Sequence, residues 1–249
     1  KQKIIPLNGI EKIRIIHSNK KIIHCHGVFD LFHHGHLMYF ESAKKLGDIL
    51  LKHKNIYISS DDIYEHIHWN KEKFHNIVNA CPGLKDRVIV LNGVSKAYSM
   101  TGWRIGYAAG DKEIIKKMKT LQSQSTSCAS SISQAAACEA LSKVCEEMPL
   151  MTKEYKKRHD YVVEQLNKID GVICKETDGT FYVFPSFKKY ISDRDNIAND
   201  NELALHLLNV AKVAVVPGSA FGQEGHIRLS IAIDIESLKE AMKRISNSL

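Results

Sequence analysis

Two runs rich in β-branched and aliphatic residues, Ile56-Tyr57-Ile58-Ser59 and Val88-Ile89-Val90-Leu91, each stop at a polar turn, Asp61-Asp62 in one case and Asn92-Gly93 in the other. Short apolar runs bounded by turn residues are what parallel strands covered on both faces require. The pattern restricts the chain to an α/β fold whose strand ends gather polar side chains, the usual place for a ligand in such sheets. A third run, Lys21-Ile22-Ile23-His24-Cys25, is followed by the turn His26-Gly27 and a helical pattern over 34–46, which makes a Rossmann-like strand, loop and helix unit.

Downstream, the pattern predicts a helix from Asp111, a Ser-rich break over 123–133 and a second helix to Lys143. Thr152 is predicted to cap a long amphipathic helix bearing Tyr155, Val162, Leu166 and Ile169 on one face. Strands are expected at 180–184, 213–216 and 227–231, with a helix from about Asn201 between the first two. A last helix carries Ile235, Leu238, Met242, Ile245 and Leu249 at spacings of three and four, a core-facing stripe. This tail reads as a small α+β domain.

With 249 residues, 44% of them hydrophobic, the chain can bury a sizeable core. No run of eighteen apolar residues exists and the first residues lack a signal-peptide pattern, so a cytoplasmic location and no membrane partner are expected. The net charge of +7 comes from lysines spread among 28 acidic residues, a solvated surface rather than a nucleic-acid footprint. Six cysteines without a CxxC pair indicate reduced thiols and no zinc ribbon.

The most specific segment follows the strand at 88–91: Asn92-Gly93-Val94-Ser95-Lys96-Ala97-Tyr98-Ser99-Met100-Thr101-Gly102-Trp103-Arg104-Ile105-Gly106. A lysine at a strand end among small residues can bond to a planar aldehyde, while a hydroxyl and a guanidinium nearby hold a phosphate. Ser95 and Arg104 supply those groups. By itself one lysine after a strand is usually a surface charge. The segment closely resembles, however, the cofactor-lysine signature of the class I pyridoxal-phosphate-dependent aminotransferases.

The resemblance extends to Ser60-Asp61-Asp62-Ile63-Tyr64-Glu65-His66. It implies that Asp61 faces the pyridine nitrogen, keeping it protonated so that the ring can accept electrons, and that Tyr64 faces the phenolic oxygen. The Ser-rich stretches 122–127 and 130–134 are similar to the family's approach to a neighbouring subunit's phosphate site, which implies a homodimer. Gly179-Thr180-Phe181-Tyr182-Val183-Phe184-Pro185, the run 216–222 and His226-Ile227-Arg228-Leu229-Ser230 resemble three small-domain motifs in family order. Arg228 then grips the substrate α-carboxylate through a bidentate pair. The implied reaction moves an amino group between an amino acid and a 2-oxo acid, Lys96 carrying the proton.

A second motif precedes all of this. Gly27-Val28-Phe29-Asp30-Leu31-Phe32-His33-His34-Gly35-His36 resembles the opening of the cytidylyltransferase-like nucleotidyltransferases, with an HxGH element. The resemblance implies a nucleotide site made by Gly27, Phe29, Asp30, His33 and His36. No carboxylate-flanked histidine spacing accompanies it, so no metal site is expected.

The organisation expected is therefore a nucleotidyltransferase-like fragment over 1–50, part of an aminotransferase large domain over 51–150, and its small domain over 151–249. In fold terms this is a partial pyridoxal-phosphate transferase fold, with an incomplete large-domain sheet, preceded by the Rossmann-like unit. The resemblance covers only the latter half of an aminotransferase, so weak cofactor binding and little or no transamination by the chain alone are expected. Nucleotidyl transfer through the HxGH element and an inactive chimeric remnant are the competing readings.

Overall fold

The structure is a computed structural model that describes residues 21–25, 37–69, 74–143, 145–193 and 197–249, with side chains from residue 44 onward. These residues fall into two compact units. The first holds the described residues up to 65 and those from 74 to 145; the second holds 66–69 and those from 146 onward.

In the first unit a four-stranded sheet runs in the order β1 (Lys21–Cys25), β2 (Ile56–Asp61), β3 (Val88–Gly93) and β4 (Gly106–Ala109). The first three strands are parallel and β4 closes the edge antiparallel to β3. Helix α1 (Leu37–Lys52) follows β1. Its residue Leu50 packs with Ile58, Cys81, Leu84 and Val88 into one buried cluster, which explains why the two apolar runs form neighbouring strands. Arg87 ties this arrangement together. Its Nη1 donates to the carbonyls of His53 at 2.6 Å and Ile56 at 3.2 Å, and its Nη2 to that of Leu50 at 3.2 Å. Carbonyls at a helix C-terminus have no intrahelical partner, and one planar fork serves those of α1 and the entry to β2.

Helices α2 (Lys112–Ser125) and α3 (Ser131–Ser142) follow β4. Asp111 caps α2 by accepting the N–H groups of Glu113 and Ile114 at 3.0 and 3.1 Å. The break between the helices covers only 126–130, shorter than the serine run suggests, because the serines at 123 and 125 return their hydroxyls to carbonyls within α2.

The second unit is built on α4 (Glu147–Leu166), a three-stranded sheet and further helices. Helix α4 begins five residues before the predicted cap. Pro149 falls in its first turn, where backbone N–H groups need no helical partner, and Thr152 sits inside the helix, its hydroxyl bonded to the Met148 carbonyl at 3.0 Å. The strands are β5 (Tyr182–Val183), β6 (Val216–Pro217) and β7 (Ile227–Ser230), antiparallel in the order β5-β7-β6. They are shorter than predicted. Thr180, at φ +66°, adopts left-handed backbone that strand pairing does not admit. Helix α5 (Asp200–His206) is capped by Asn199 and runs into a π-helical turn at Leu207–Ala211. Helix α6 (Ile235–Ser248) buries Leu238, Met242 and Ile245 of the predicted stripe, with Ile235 and Leu249 half-buried.

Buried His159 of α4 holds the loop that precedes β5. Its Nε2 accepts the Thr177 N–H at 3.0 Å and its Nδ1 meets Asp160 Oδ1 at 3.0 Å. Trp69 lies 5.0 Å from the imidazole, centroid to centroid, and donates its indole N–H to the Thr177 carbonyl at 2.8 Å.

Candidate active site

The parallel register of β2 and β3 brings Asp61 opposite Leu91, so β2 ends two residues short of the end of β3. Asp62 carries the ladder one step further, donating its N–H to the Leu91 carbonyl at 2.8 Å, and the chain then turns with Glu65 N–H bonded to the Asp62 carbonyl at 3.0 Å. Asp61 supports this turn by accepting the Ile63 N–H at 3.3 Å. Tyr64 is carried on it.

The second strand end makes its own turn. Val94 is fully buried against Ile105 and Ala137, which anchors the chain just before Ser95 and Lys96. The carbonyl of Lys96 accepts the Ser99 N–H at 3.2 Å, and Ser99 takes left-handed backbone, φ +53°. The outcome is a lysine ammonium 5.9 Å from the centroid of the Tyr64 ring, within reach of the ring's electrostatic attraction. Asp61, Tyr64, Ser95 and Lys96 thus come from adjacent ends of two parallel strands. Half-buried positions for all four leave room for a ligand to reach them.

Arg104 occupies a different position from its four companions. It ends a 3-10 turn at Thr101–Trp103 with φ +55°, is exposed, and donates from Nη1 to the Thr101 carbonyl of its own turn at 2.9 Å. Arg228 belongs to the second unit, on β7. Its guanidinium carbon lies 4.5 Å from the ring centroids of both Tyr182 and Phe221, within cation-π range of each. A guanidinium held by ring contacts keeps its N–H groups for a planar anion. Gly27, Phe29, Asp30, His33 and His36 lie outside the described residues.

Three polar residues at the strand ends had no role in the sequence reading. Asn92 donates from Nδ2 to Glu65 Oε1 at 2.6 Å and accepts the Gly93 N–H on Oδ1 at 2.7 Å. Asp62 is buried and accepts the Ser60 hydroxyl at 2.7 Å, while its other oxygen has no partner among the described residues. Burial raises its pKa above the ordinary carboxylate value, the Ser60 bond opposes, and the charges of Glu65 and Asp61 push the same way as burial. The signal for all three lay in the quoted segments, but nothing local assigns a side chain its long-range partner.

Among the described residues no group of three or more His, Cys, Asp or Glu side chains is disposed to hold a metal ion. Nor is any helix among them long and apolar enough to cross a membrane.

A lysine at the end of an inner parallel strand, a carboxylate and a phenol at the end of its neighbour, and a separate small α+β unit bearing a stacked arginine define a class of α/β transferase fold. Residues 34–245 match the family described as aminotransferase class I and II, and the chain belongs to that family. The match takes in residues 34–50, part of the stretch that the histidine motif would give to another enzyme.

Among its relatives, the aspartate/prephenate aminotransferase of Nitrosomonas europaea is 44% identical over 220 residues, covering 86% of this chain and 55% of the relative. The aspartate aminotransferase of Rhizobium meliloti is 44% identical over 207 residues, covering 82% of this chain and 50% of the relative. The crystal structure of the Rhizobium meliloti aspartate aminotransferase superposes with a TM-score of 0.80 at 43% identity, over 84% of this chain and 53% of that one. An aromatic aminotransferase from Pyrococcus horikoshii gives 0.74 at 34% identity, over 83% and 54%. The chain spans about half the length of the curated relatives it matches. Class I aminotransferases depend on pyridoxal phosphate.

Proposed function

We propose that this chain binds pyridoxal phosphate at Lys96 and supplies part of the machinery that moves an amino group between an amino acid and a 2-oxo acid. The observation that carries the reading is the 5.9 Å approach of the Lys96 ammonium to the Tyr64 ring at the adjoining ends of β2 and β3, with Asp61 closing β2.

The donor set fits the cofactor. It comprises a primary amine for the aldehyde, a carboxylate for the pyridine nitrogen, a phenol for the ring oxygen, and a hydroxyl and a guanidinium for the phosphate. When bound, pyridoxal phosphate supplies an electron-accepting ring conjugated to an aldehyde. The remaining work falls to the chain. Asp61 holds a proton on the ring nitrogen, and Tyr64 donates to the phenolic oxygen. Ser95 and Arg104 hold the phosphate, for which Arg104 turns from the Thr101 carbonyl. The Lys96 amine would take the proton from the substrate α-carbon, and Arg228 would hold the α-carboxylate.

The same reading makes residues 51–150 part of a large domain and 151–249 a small domain, in a cytoplasmic homodimer. Its support is the exposure of Trp103, Tyr107, Leu121 and Ile132 in the first unit, apolar surface of the kind that a second copy covers. For residues 1–50, nucleotide binding by Gly27, Phe29, Asp30, His33 and His36 rests on the sequence motif alone.

The deciding experiment is borohydride reduction with pyridoxal phosphate, followed by peptide mapping. A single adduct at Lys96 is expected, and adducts spread evenly over the lysines overturn the assignment. Conversion of an amino acid to its 2-oxo acid by the isolated chain is expected to be slow or undetectable, since about half of the relatives' length is not represented in it.

A further inference from the structure

We propose that Asn92 and Glu65 are positioning residues that clamp the Tyr64 turn to the Lys96 turn, a role that rests on the reading of Lys96 as the cofactor lysine. Glu65 directly follows Tyr64, and Asn92 precedes Lys96 by four residues. The backbone ladder between the two strands continues to the Asp62 N–H, bonded to the Leu91 carbonyl at 2.8 Å. From there the side chains take over, through Asn92 Nδ2 donating to Glu65 Oε1 at 2.6 Å.

The orientation of the Asn92 amide is fixed on both sides. A carboxylate can only accept and a backbone N–H can only donate, so Nδ2 must face Glu65 and Oδ1 must face Gly93, which it meets at 2.7 Å. Gly93 contributes by its smallness. A Cβ there would come within 3.0 Å of the Ile105 carbonyl, so glycine lets the β3 end lie close against the chain entering β4. The amide is thus held by its own backbone and presents a rigid donor to the carboxylate. A charge-assisted bond in a half-buried setting is among the stronger polar contacts a protein makes. It joins the two turns whose separation sets the distance between the lysine amine and the phenol.

The clamp differs from general structural support in what it requires. It needs one donor and one acceptor across the gap, whichever side each comes from, and it does not need the charge. Glu65→Gln keeps the acceptor. Asn92→Asp faces two acceptors at each other and breaks the bond. The pair Asn92→Asp with Glu65→Gln restores it in reverse, because the glutamine amide then donates to the new carboxylate.

The readout needs no cofactor. Competitive acetylation of the chain measures the reactivity of Lys96 against exposed Lys112, with circular dichroism to show that each variant folds. Glu65→Ala, Asn92→Ala and Asn92→Asp are each expected to raise the Lys96 to Lys112 ratio about fivefold, as the lysine turn moves off the tyrosine. The double alanine variant should go no further than either single one. Glu65→Gln and the reversed pair should stay within about twofold of the parent. Failure of the reversed pair to recover, effects of the two alanines that simply add, or a Glu65→Gln variant as altered as Glu65→Ala would each overturn the clamp. If either alanine variant does not fold, Glu65→Gln and the reversed pair still decide the matter. A parent chain that takes up no cofactor at Lys96 would defeat the site assignment while leaving the reactivity pattern intact, so the two failures are distinguishable.

Discussion

The imidazole of His159 accepts the backbone N–H of Thr177 on Nε2 at 3.0 Å, so the ring must be neutral there with its proton on Nδ1, facing Asp160. Burial lowers the pKa of His159, Asp160 and Glu176 act in the opposite sense, and Lys156 acts with burial. An imidazole whose folded pKa lies below its unfolded value binds fewer protons folded than unfolded. Its stabilising effect is complete above the ordinary value of 6.5 and declines as pH falls through that value toward the lower folded one. Urea midpoints for the parent and for His159→Gln, measured at about pH 8 and about pH 5, check this. The parent should lose more stability between the two than the variant does. Equal losses would mean that the ring is not held neutral.

Arg87 makes a separate prediction about what keeps β2 and β3 in register. Three backbone carbonyls, at Leu50, His53 and Ile56, accept from one guanidinium. Arg87→Ala should lower unfolding stability by about 1–3 kcal/mol, the usual result of stripping partners from partly buried polar groups. Arg87→Lys should recover only part of it, because an ammonium cannot fork to three acceptors in one plane. Denaturant unfolding reads both, and full recovery with lysine would show that charge alone suffices.

How much of this was legible in the sequence differs from residue to residue. Asp61, Tyr64, Ser95 and Lys96 could be placed at strand ends because the apolar runs before them are continuous and stop sharply. The stripe of α6 was equally plain, its buried residues recurring at helical spacing. The start of α4 was not. Thr152 and the residues after it make a reasonable cap, and only the structure shows the helix already running from Glu147 with Pro149 tolerated in its first turn. The bond from Asn92 to Glu65 crosses 27 positions, and the one from Thr177 to His159 crosses 18. Such pairings follow from register and packing, which no local pattern encodes. Arg104 was read as a phosphate-holding group, and its bond to the Thr101 carbonyl within its own exposed turn had no sequence signal.

Gly47 sets helix propensity against packing. Alanine is the better helix former by about 1 kcal/mol. Yet a Cβ at this position of α1 would stand 2.6 Å from the Cβ of Cys81 and 3.0 Å from its sulfur. Contact of that kind in a buried cluster cannot be relieved by turning a flexible side chain. Gly47→Ala should therefore destabilise by about 1–3 kcal/mol. In a Cys81→Gly background, where the opposing Cβ is gone, the same substitution should become neutral or stabilising. Thermal unfolding of the four proteins gives the coupling directly, and a penalty that persists in that background would show that something other than Cys81 limits the approach.

The last prediction concerns Arg228 and what its stacking is for. With both ring centroids 4.5 Å from its guanidinium carbon, Tyr182 and Phe221 restrict the Arg228 side chain before any carboxylate arrives. A flexible side chain loses conformational freedom when it binds, and a pre-stacked one has already lost it. Arg228→Lys keeps the charge but has neither a plane to stack nor a fork to present. Binding of a monocarboxylic 2-oxo acid, followed by isothermal calorimetry on the cofactor-loaded chain, should weaken about 10- to 100-fold in this variant, the scale of a lost charge-assisted pair. Phe221→Leu removes one stacking face and leaves the fork intact. Its effect should be smaller, about three- to tenfold, the range of one ring-cation contact. The order of the two effects is what matters. If Phe221→Leu weakened binding as much as Arg228→Lys, the aromatic pair would be the recognition element; if neither changed it, Arg228 would be only a structural contact on β7.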